Sequence, residues 1–298
     1  MPGMHRRRVK LRPQRVLQLA AAALFNGYAL GFGTGRIFTG PTKGLCVPVL
    51  NCYSCPGALG ACPIGSLQSA LGGANQHFPF YILGTLMLFG VLLGRGVCGL
   101  LCPFGLVQDL IHKIPLPKWT VPQKLDRPAR LLKYGVLVGM VLLAPLLATG
   151  MAALPAFCKY LCPAGTLEGG LPLLATNPSL RQAAGALFGW KLLLLLLILA
   201  ACVFIHRPFC KYLCPLGALY GLFNRFSFLQ LRLDPEKCTG CNQCQRSCPM
   251  GVAVTAHPHS AECIRCGTCK AACPSGALSL RAMAAKAPQQ KQPGGQAK

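Results

Sequence analysis

Eight cysteines in the last quarter of the chain fall into two runs of one spacing. Cys238, Cys241, Cys244 and Cys248 read Cys-x2-Cys-x2-Cys-x3-Cys before Pro249, and Cys263, Cys266, Cys269 and Cys273 repeat the run before Pro274. Three thiolates so close in sequence wrap one cube of iron and sulfide, while the fourth leaves on a short helical turn and reaches a second cube. The spacing assigns Cys238, Cys241, Cys244 and Cys273 to one [4Fe–4S] cluster, and Cys263, Cys266, Cys269 and Cys248 to another. Zinc would call for two separated cysteine pairs with a longer loop between them.

A second cysteine element recurs upstream. It reads CGLLCPFG at 98–105, CKYLCPAG at 158–165 and CKYLCPLG at 210–217, with a degenerate copy, ACPIG, at 61–65. In the degenerate copy Cys52 and Cys55 stand in for the upstream cysteine. Cysteines four apart share one face of a helical turn. The proline after the second cysteine favours ending the turn there, and the glycine two further on lets backbone approach a bulky group. Arg95 and Cys98 are each 112 residues before Arg207 and Cys210, and Cys62 is 100 before Cys162. The chain thus reads as a tandem duplication, whose equivalent elements meet at an axis along the membrane normal. Two facing pairs supply the four thiolates a cubane needs. Cys98, Cys102, Cys210 and Cys214 form a candidate inner cluster, with Arg95 and Arg207 offsetting its charge. Cys158, Cys162, Cys62 and Cys55 (or Cys52) form a candidate outer one, with Cys46 a further candidate ligand. Outer disulfides are the competing reading. Cys202 has no partner in sequence and reads as a small buried hydrophobe.

These elements need a scaffold, and the composition says which. Hydrophobic residues make up 53% and charged residues 12%, against roughly 25% charged in a soluble domain; mean hydropathy is +0.46. Apolar runs at Val16–Phe32, Phe78–Leu93, Leu131–Ala148 and Leu187–Ile205 predict four transmembrane helices. The first has no small-residue cleavage site behind it and reads as a retained helix. Net charge is +24, from 30 basic and 6 acidic residues. The basic residues flank the apolar runs, which points to membrane orientation rather than nucleic-acid binding. Lys plus Arg number six before the first run, then two, seven, three and twelve in the successive connections and the tail. That alternation predicts both termini on the cytoplasmic side of the inner membrane of a prokaryote.

The predicted fold is a membrane all-α protein: four transmembrane helices in two tandem pseudo-symmetric repeats, with a C-terminal α+β bacterial 2[4Fe–4S] ferredoxin domain. The expected divisions are a basic cytoplasmic tail (1–15), membrane repeat 1 (16–112), a cytoplasmic linker (113–130), membrane repeat 2 (131–229), the ferredoxin domain (230–281) and a disordered Gln/Lys/Pro/Gly-rich tail (282–298). The predicted spans, the Cys-x3-Cys-Pro elements at Cys98–Cys102 and Cys210–Cys214, and the ferredoxin tail together resemble the NapH/NosR-type membrane polyferredoxins over about residues 16–280. The outer elements at Cys46–Cys62 and Cys158–Cys162 depart from that pattern and indicate a distinct branch. The resemblance implies electron transfer between the quinone pool or cytoplasmic donors and outer-side reductase systems.

The expected function is therefore a relay of electrons between cytoplasmic clusters, one or two membrane clusters and a quinone or outer-side redox partner. The chain would be an electron-transfer subunit of a quinol dehydrogenase or oxidoreductase complex rather than a stand-alone enzyme, with no catalytic residues. The alternative is a redox-sensing or metalloenzyme-assembly membrane protein. Other residues add little. No Cys-x2-Cys-His occurs and no histidine pair lies mid-span, so haem is not expected. GFGTGR at 31–36 follows an apolar helix rather than a strand and is not a nucleotide loop. Asp109 and His112 are candidate proton acceptors for a quinol, or a solvated helix face. Gln68, Gln108, Glu168 and Tyr220 each lie six residues after the second cysteine of an element, where a polar contact to a cluster is expected.

Overall fold

The structure, a computed structural model, describes residues 13–72, 79–119, 121–147 and 155–282. Among the described residues two helices are long and apolar enough to cross a membrane: Lys124–Leu147, of 24 residues, and Ala186–Phe204, of 19. Only 17% of the apolar stretch of the second is buried within the chain. Leu193, Leu196 and Leu197 face outward from it. Water would penalise that apolar surface, and acyl chains would not. The Lys124–Leu147 helix widens to i→i+5 bonding over Leu137–Leu143 and keeps Pro145 buried within it, a local adjustment that frees room for a proline.

The other two predicted runs are shorter as helices. Phe80–Leu93 has 14 residues, about 21 Å at 1.5 Å per residue, against a hydrocarbon core of about 30 Å; Phe78 lies outside the described residues. The Val16–Phe32 run is not one helix. A helix covers Pro13–Phe25, and after a break a one-turn helix covers Leu30–Thr34. Asn26 and Gly27 interrupt it, and the chain turns so that the Tyr28 amide donates to Gly57 at 3.2 Å. Gly31 then lies so close to the 52–57 loop that a Cβ there would stand 2.4 Å from the Pro56 carbonyl oxygen. Binding the outer cysteine loop is what breaks this helix.

Short helices follow each Cys-Pro junction: Pro63–Gly72, Pro103–Ile111 and Pro215–Phe223. The third copy winds as π-helix at Phe157–Leu161 and Gly165–Gly170. All four elements share one buried core that includes Leu50, Cys62, Ile64, Cys98, Phe104, Cys162, Phe209, Cys210 and Tyr220. Inner and outer elements are thus joined through one packed interior.

The C-terminal module is α+β. Strand β1 (Leu229–Leu233) pairs antiparallel with β2 (Leu278–Ala282), Leu231 opposite Leu280, so that the sheet closes both ends of the two cysteine runs. Helical turns at Gln243–Arg246 and Thr268–Ala272 carry Cys244 and Cys269 into a small core with Leu231, Val254 and Leu278. The basic tail expected over 1–15 turns helical at Pro13, and residues 1–12 lie outside the described residues. Of the tail expected over 282–298, Ala282 ends β2 and the rest lies outside them.

Candidate metal centres

Cys98 lies on the short helix Gly96–Leu100, and Cys102 caps the helix Pro103–Ile111. Cys210 and Cys214 hold the same places on Pro208–Tyr212 and Pro215–Phe223. The four thiols are buried and interact electrostatically with one another. Two arginines tie the halves by exchange. Arg95 Nη2 donates to the Cys210 carbonyl at 2.6 Å, and Arg207 Nη1 to the Cys98 carbonyl at 2.7 Å. Gly105 and Gly217 make this approach feasible. A Cβ at Gly105 would lie 3.1 Å from the Cys98 oxygen, and one at Gly217 3.2 Å from the Cys210 oxygen.

Each arginine has its own carboxylate. Asp109 takes Arg207 through both oxygens at 2.7 and 2.5 Å, and Glu262 takes Arg95 at 2.5 Å and also Lys133. Burial alone would raise the Asp109 carboxyl, but hydrogen bonds from Arg207 and His206 outweigh it and hold it well below the usual carboxylate range. Glu262 is likewise held down against its burial by Arg95 and Lys133. Arg95 Nε is buried without a partner among the described residues, a donor left for an anionic group at this quartet. Gln108 Nε2 donates to Cys210 Sγ at 3.0 Å, and its Oε1 faces the thiol of the fully buried Cys202 at 3.8 Å.

The outer cysteines surround a cavity of about 300 Å³ lined by Cys52, Cys62, Cys158 and Cys162. A Cβ at Gly165 would lie 3.7 Å from the sulfurs of both Cys162 and Cys52, and one at Gly169 3.3 Å from Cys52. Gln68 Nε2 donates to Cys158 Sγ at 3.4 Å, and Glu168 accepts from the Cys52 amide at 2.9 Å. Burial pushes the Glu168 carboxyl up to about 7. Cys55 does not line the cavity; its thiol faces Asn26 Oδ1 at 3.5 Å. Of the two alternatives for the fourth position, the structure brings Cys52 to Cys62, Cys158 and Cys162. Cys46 does not line the cavity; its amide donates to the Tyr81 hydroxyl at 3.2 Å, and its backbone bridges Ala61 beside Cys62.

In the ferredoxin module Cys248, Cys263, Cys266 and Cys269 line one small cavity with Ile264 and Arg265. Cys248, from the first run, thus joins three cysteines of the second. Cys241 interacts in turn with Cys273 of the second run. The module seats this second site directly on the inner quartet. Arg265 donates to the Leu93 and Asn224 carbonyls at 2.7 and 2.8 Å, and Asn224 Nδ2 donates back to the Ser260 and Cys263 carbonyls. A Cβ at Gly99 would stand 2.1 Å from the Ile264 oxygen, so only glycine permits this contact.

The donor sets fit iron–sulfur ligation. Burial pushes the Cys98 thiol up to about 11 and those of Cys52, Cys62 and Cys158 up to about 12. Such thiols stay neutral until a cation takes them, and binding releases their protons. Among the described residues no three His, Cys, Asp or Glu groups converge enough to hold a single metal ion. A cubane presents four separate iron corners, so its thiolates spread around a cube rather than meet at a point.

A family model described as a 4Fe-4S binding domain matches residues 76–122, 134–172 and 187–233, and a second of the same description matches 231–253 and 258–279. The methylamine utilization ferredoxin-type protein MauN of Paracoccus denitrificans is 31% identical over 79% of this chain and 74% of its own length. The chain belongs to this family of ferredoxin-type 4Fe–4S proteins. The ferredoxin-type protein NapH of Haemophilus influenzae is 27% identical over 83% of the chain and 77% of its own length. The regulatory protein NosR of Stutzerimonas stutzeri is 28% identical over 56% of the chain and 22% of its own length. No solved structure matches.

Within this ferredoxin-type chain the acidic residues Asp109, Glu168, Glu262 and Asp126 hold cationic or amide partners inside the packed structure, Asp126 meeting Arg130, Lys211 and Tyr212. Their rarity was the available signal for Glu262, which sequence reading passed over. Nothing in the sequence marked Lys133, Asn224 or the Gln108–Cys202 contact.

Proposed function

We propose that the chain passes single electrons along a line of four [4Fe–4S] centres. The line would run from the Cys238/Cys241/Cys244/Cys273 set through the Cys263/Cys266/Cys269/Cys248 set and the inner quartet to Cys52, Cys62, Cys158 and Cys162. The observation that carries this reading is the seating of the second ferredoxin site on the inner quartet, with Glu262, next to Cys263, gripping Arg95 between Cys98 and Cys210. Each cluster would supply one-electron storage at a potential set by its surroundings. The chain's own residues do the rest. Arg95 and Arg207 hold positive charge against the buried thiolates, Gln68 and Gln108 donate to ligand sulfurs, and the apolar core excludes water. The short apolar helices Pro13–Phe25 and Phe80–Leu93 would complete a four-span anchor with both termini on the cytoplasmic side.

For a partner we propose the quinone pool. A cavity of about 180 Å³ beside Cys266 is lined by Asp109, His112, Lys113 and His206, of which the two imidazoles are suited to taking the protons a quinol releases on oxidation. Redox sensing is the second reading, favoured by the likeness to a protein named as regulatory.

Iron and sulfide analysis of anaerobic protein tests the count. Four cubanes give on the order of sixteen irons. Cys52→Ser lowers that to about twelve and Cys55→Ser leaves it at about sixteen; about eight in the parent would leave only the ferredoxin pair. Reduction of the clusters by a quinol in purified protein supports the quinone partner, and quinol-inert clusters favour the sensing role.

A further inference from the structure

Tyr220 holds the place after Cys214 that Gln68, Gln108 and Glu168 hold after Cys62, Cys102 and Cys162. Those three each reach the first cysteine of the facing element: Gln68 reaches Cys158 Sγ, Gln108 reaches Cys210 Sγ, and Glu168 reaches the Cys52 amide. By the repeat, Tyr220 would reach Cys98. Its hydroxyl instead donates to the carbonyl of Pro48 at 2.8 Å, in the loop that leads to the outer cysteines. The side chain is fully buried in the core shared by both quartets.

The connection continues beyond Pro48. Its chain neighbour Val47 donates its amide to the Ala61 carbonyl at 3.0 Å, and Ala61 is bonded to Cys62. At the other end, Tyr220 stands on the helix capped by Cys214. Cys98 and Cys102 of the inner quartet, and Cys46 and Cys62 of the outer loop, all lie close enough to its hydroxyl for their charge to be felt there. One ring and two hydrogen bonds thus lead from the inner helix to an outer ligand. The symmetry is broken at a polar position where breaking it joins the two layers.

We propose that Tyr220 is the bridge through which electrons pass between the inner and outer centres. The inference rests on the reading that both quartets hold clusters. One electron leaves one centre, which is oxidised by one unit, and arrives at the other, which is reduced by one unit. The phenol is neither oxidised nor deprotonated; it supplies close-packed, bonded atoms where a shorter side chain would leave a gap.

The test uses the full chain carrying its clusters, with Tyr220→Phe and Tyr220→Leu. Iron content and the midpoint potentials of all centres, read by EPR titration, are expected to match the parent. A parent short of irons would overturn the cluster reading itself. With the full complement present, the proposal is tested by rapid reduction with a low-potential donor. The signal that Cys52→Ser removes then appears roughly tenfold more slowly in the leucine variant, where a void replaces ring atoms, and less slowly in the phenylalanine variant. Equal rates in all three proteins overturn the bridge. So does slowing that tracks loss of iron or a shifted potential, which would make Tyr220 a packing residue.

Discussion

Gln68 and Gln108 show how far one side chain can be read from its position. The sequence placed a polar group six residues after each second cysteine, and in the structure both amides donate to a sulfur of the opposite repeat, at 3.4 and 3.0 Å. The offset was visible because one helical face recurs in that register. The destination was not, since it depends on how the repeats cross. A donor to a ligand sulfur favours the more negative, reduced state. Gln108→Leu, which keeps the volume, is therefore expected to lower the potential of the inner centre. If the redox states differ by about 1 kcal/mol in that bond, the shift is roughly 40 mV. EPR-monitored titration reads it, and an unmoved potential would mean that Gln108 serves Cys202 instead.

The elements were legible to different degrees. The surest run, Leu187–Ile205, is a continuous helix at Ala186–Phe204 because nothing in it competes with i→i+4 bonding. Val16–Phe32 fails as a helix because Gly31 and the Asn26–Gly27 turn serve the outer cysteine loop, a tertiary demand that hydropathy does not register. The junction of the repeats rests on a device with a pH signature. Asp109 lies on Pro103–Ile111 in repeat 1, and Arg207 caps Pro208–Tyr212 in repeat 2 with left-handed backbone at φ 50°. Such backbone in a bulky residue costs of order 1–3 kcal/mol and needs an anchor. The Asp109 carboxyl titrates lower in the folded chain than in the unfolded one. Its contribution is thus complete above the unfolded value near pH 4 and is lost as the pH falls through the folded value. Resistance to thermal unfolding in detergent is expected to weaken below about pH 4. Asp109→Asn is expected to lose about 3–5 kcal/mol at neutral pH by stranding buried Arg207, and to flatten the acid limb. An unchanged acid limb would place the sensitivity elsewhere.

At the scale of the molecule, cysteine arithmetic predicted one exchanged thiol between the ferredoxin runs, because local spacing closes a cube that way, and Cys248 does line one cavity with Cys263, Cys266 and Cys269. It left Cys52 and Cys55 undecided, since three residues of loop decide which one turns toward Cys162 and which toward Asn26. It also gave no view of the docking that joins the ferredoxin module to the helical part. That joint depends on Glu262 between Arg95 and Lys133, both fully buried, and on the bare backbone of Gly99 under Ile264. A buried carboxylate shared by two buried cations is costly to remove, because two desolvated charges then stand unpaired; the loss is about 3–5 kcal/mol. Glu262→Gln and Gly99→Val attack the joint by charge and by bulk. Both are expected to leave the ferredoxin irons in place while exposing the connection between Phe223 and Leu229 to limited proteolysis. On the proposed relay, reduction of the inner quartet from the ferredoxin sites should slow in the same variants, since the second ferredoxin site no longer rests on Cys98 and Cys210. If the connection stays protected in both, the module is held by Arg265 and Asn224 alone, and Arg265→Ala becomes the variant that must release it.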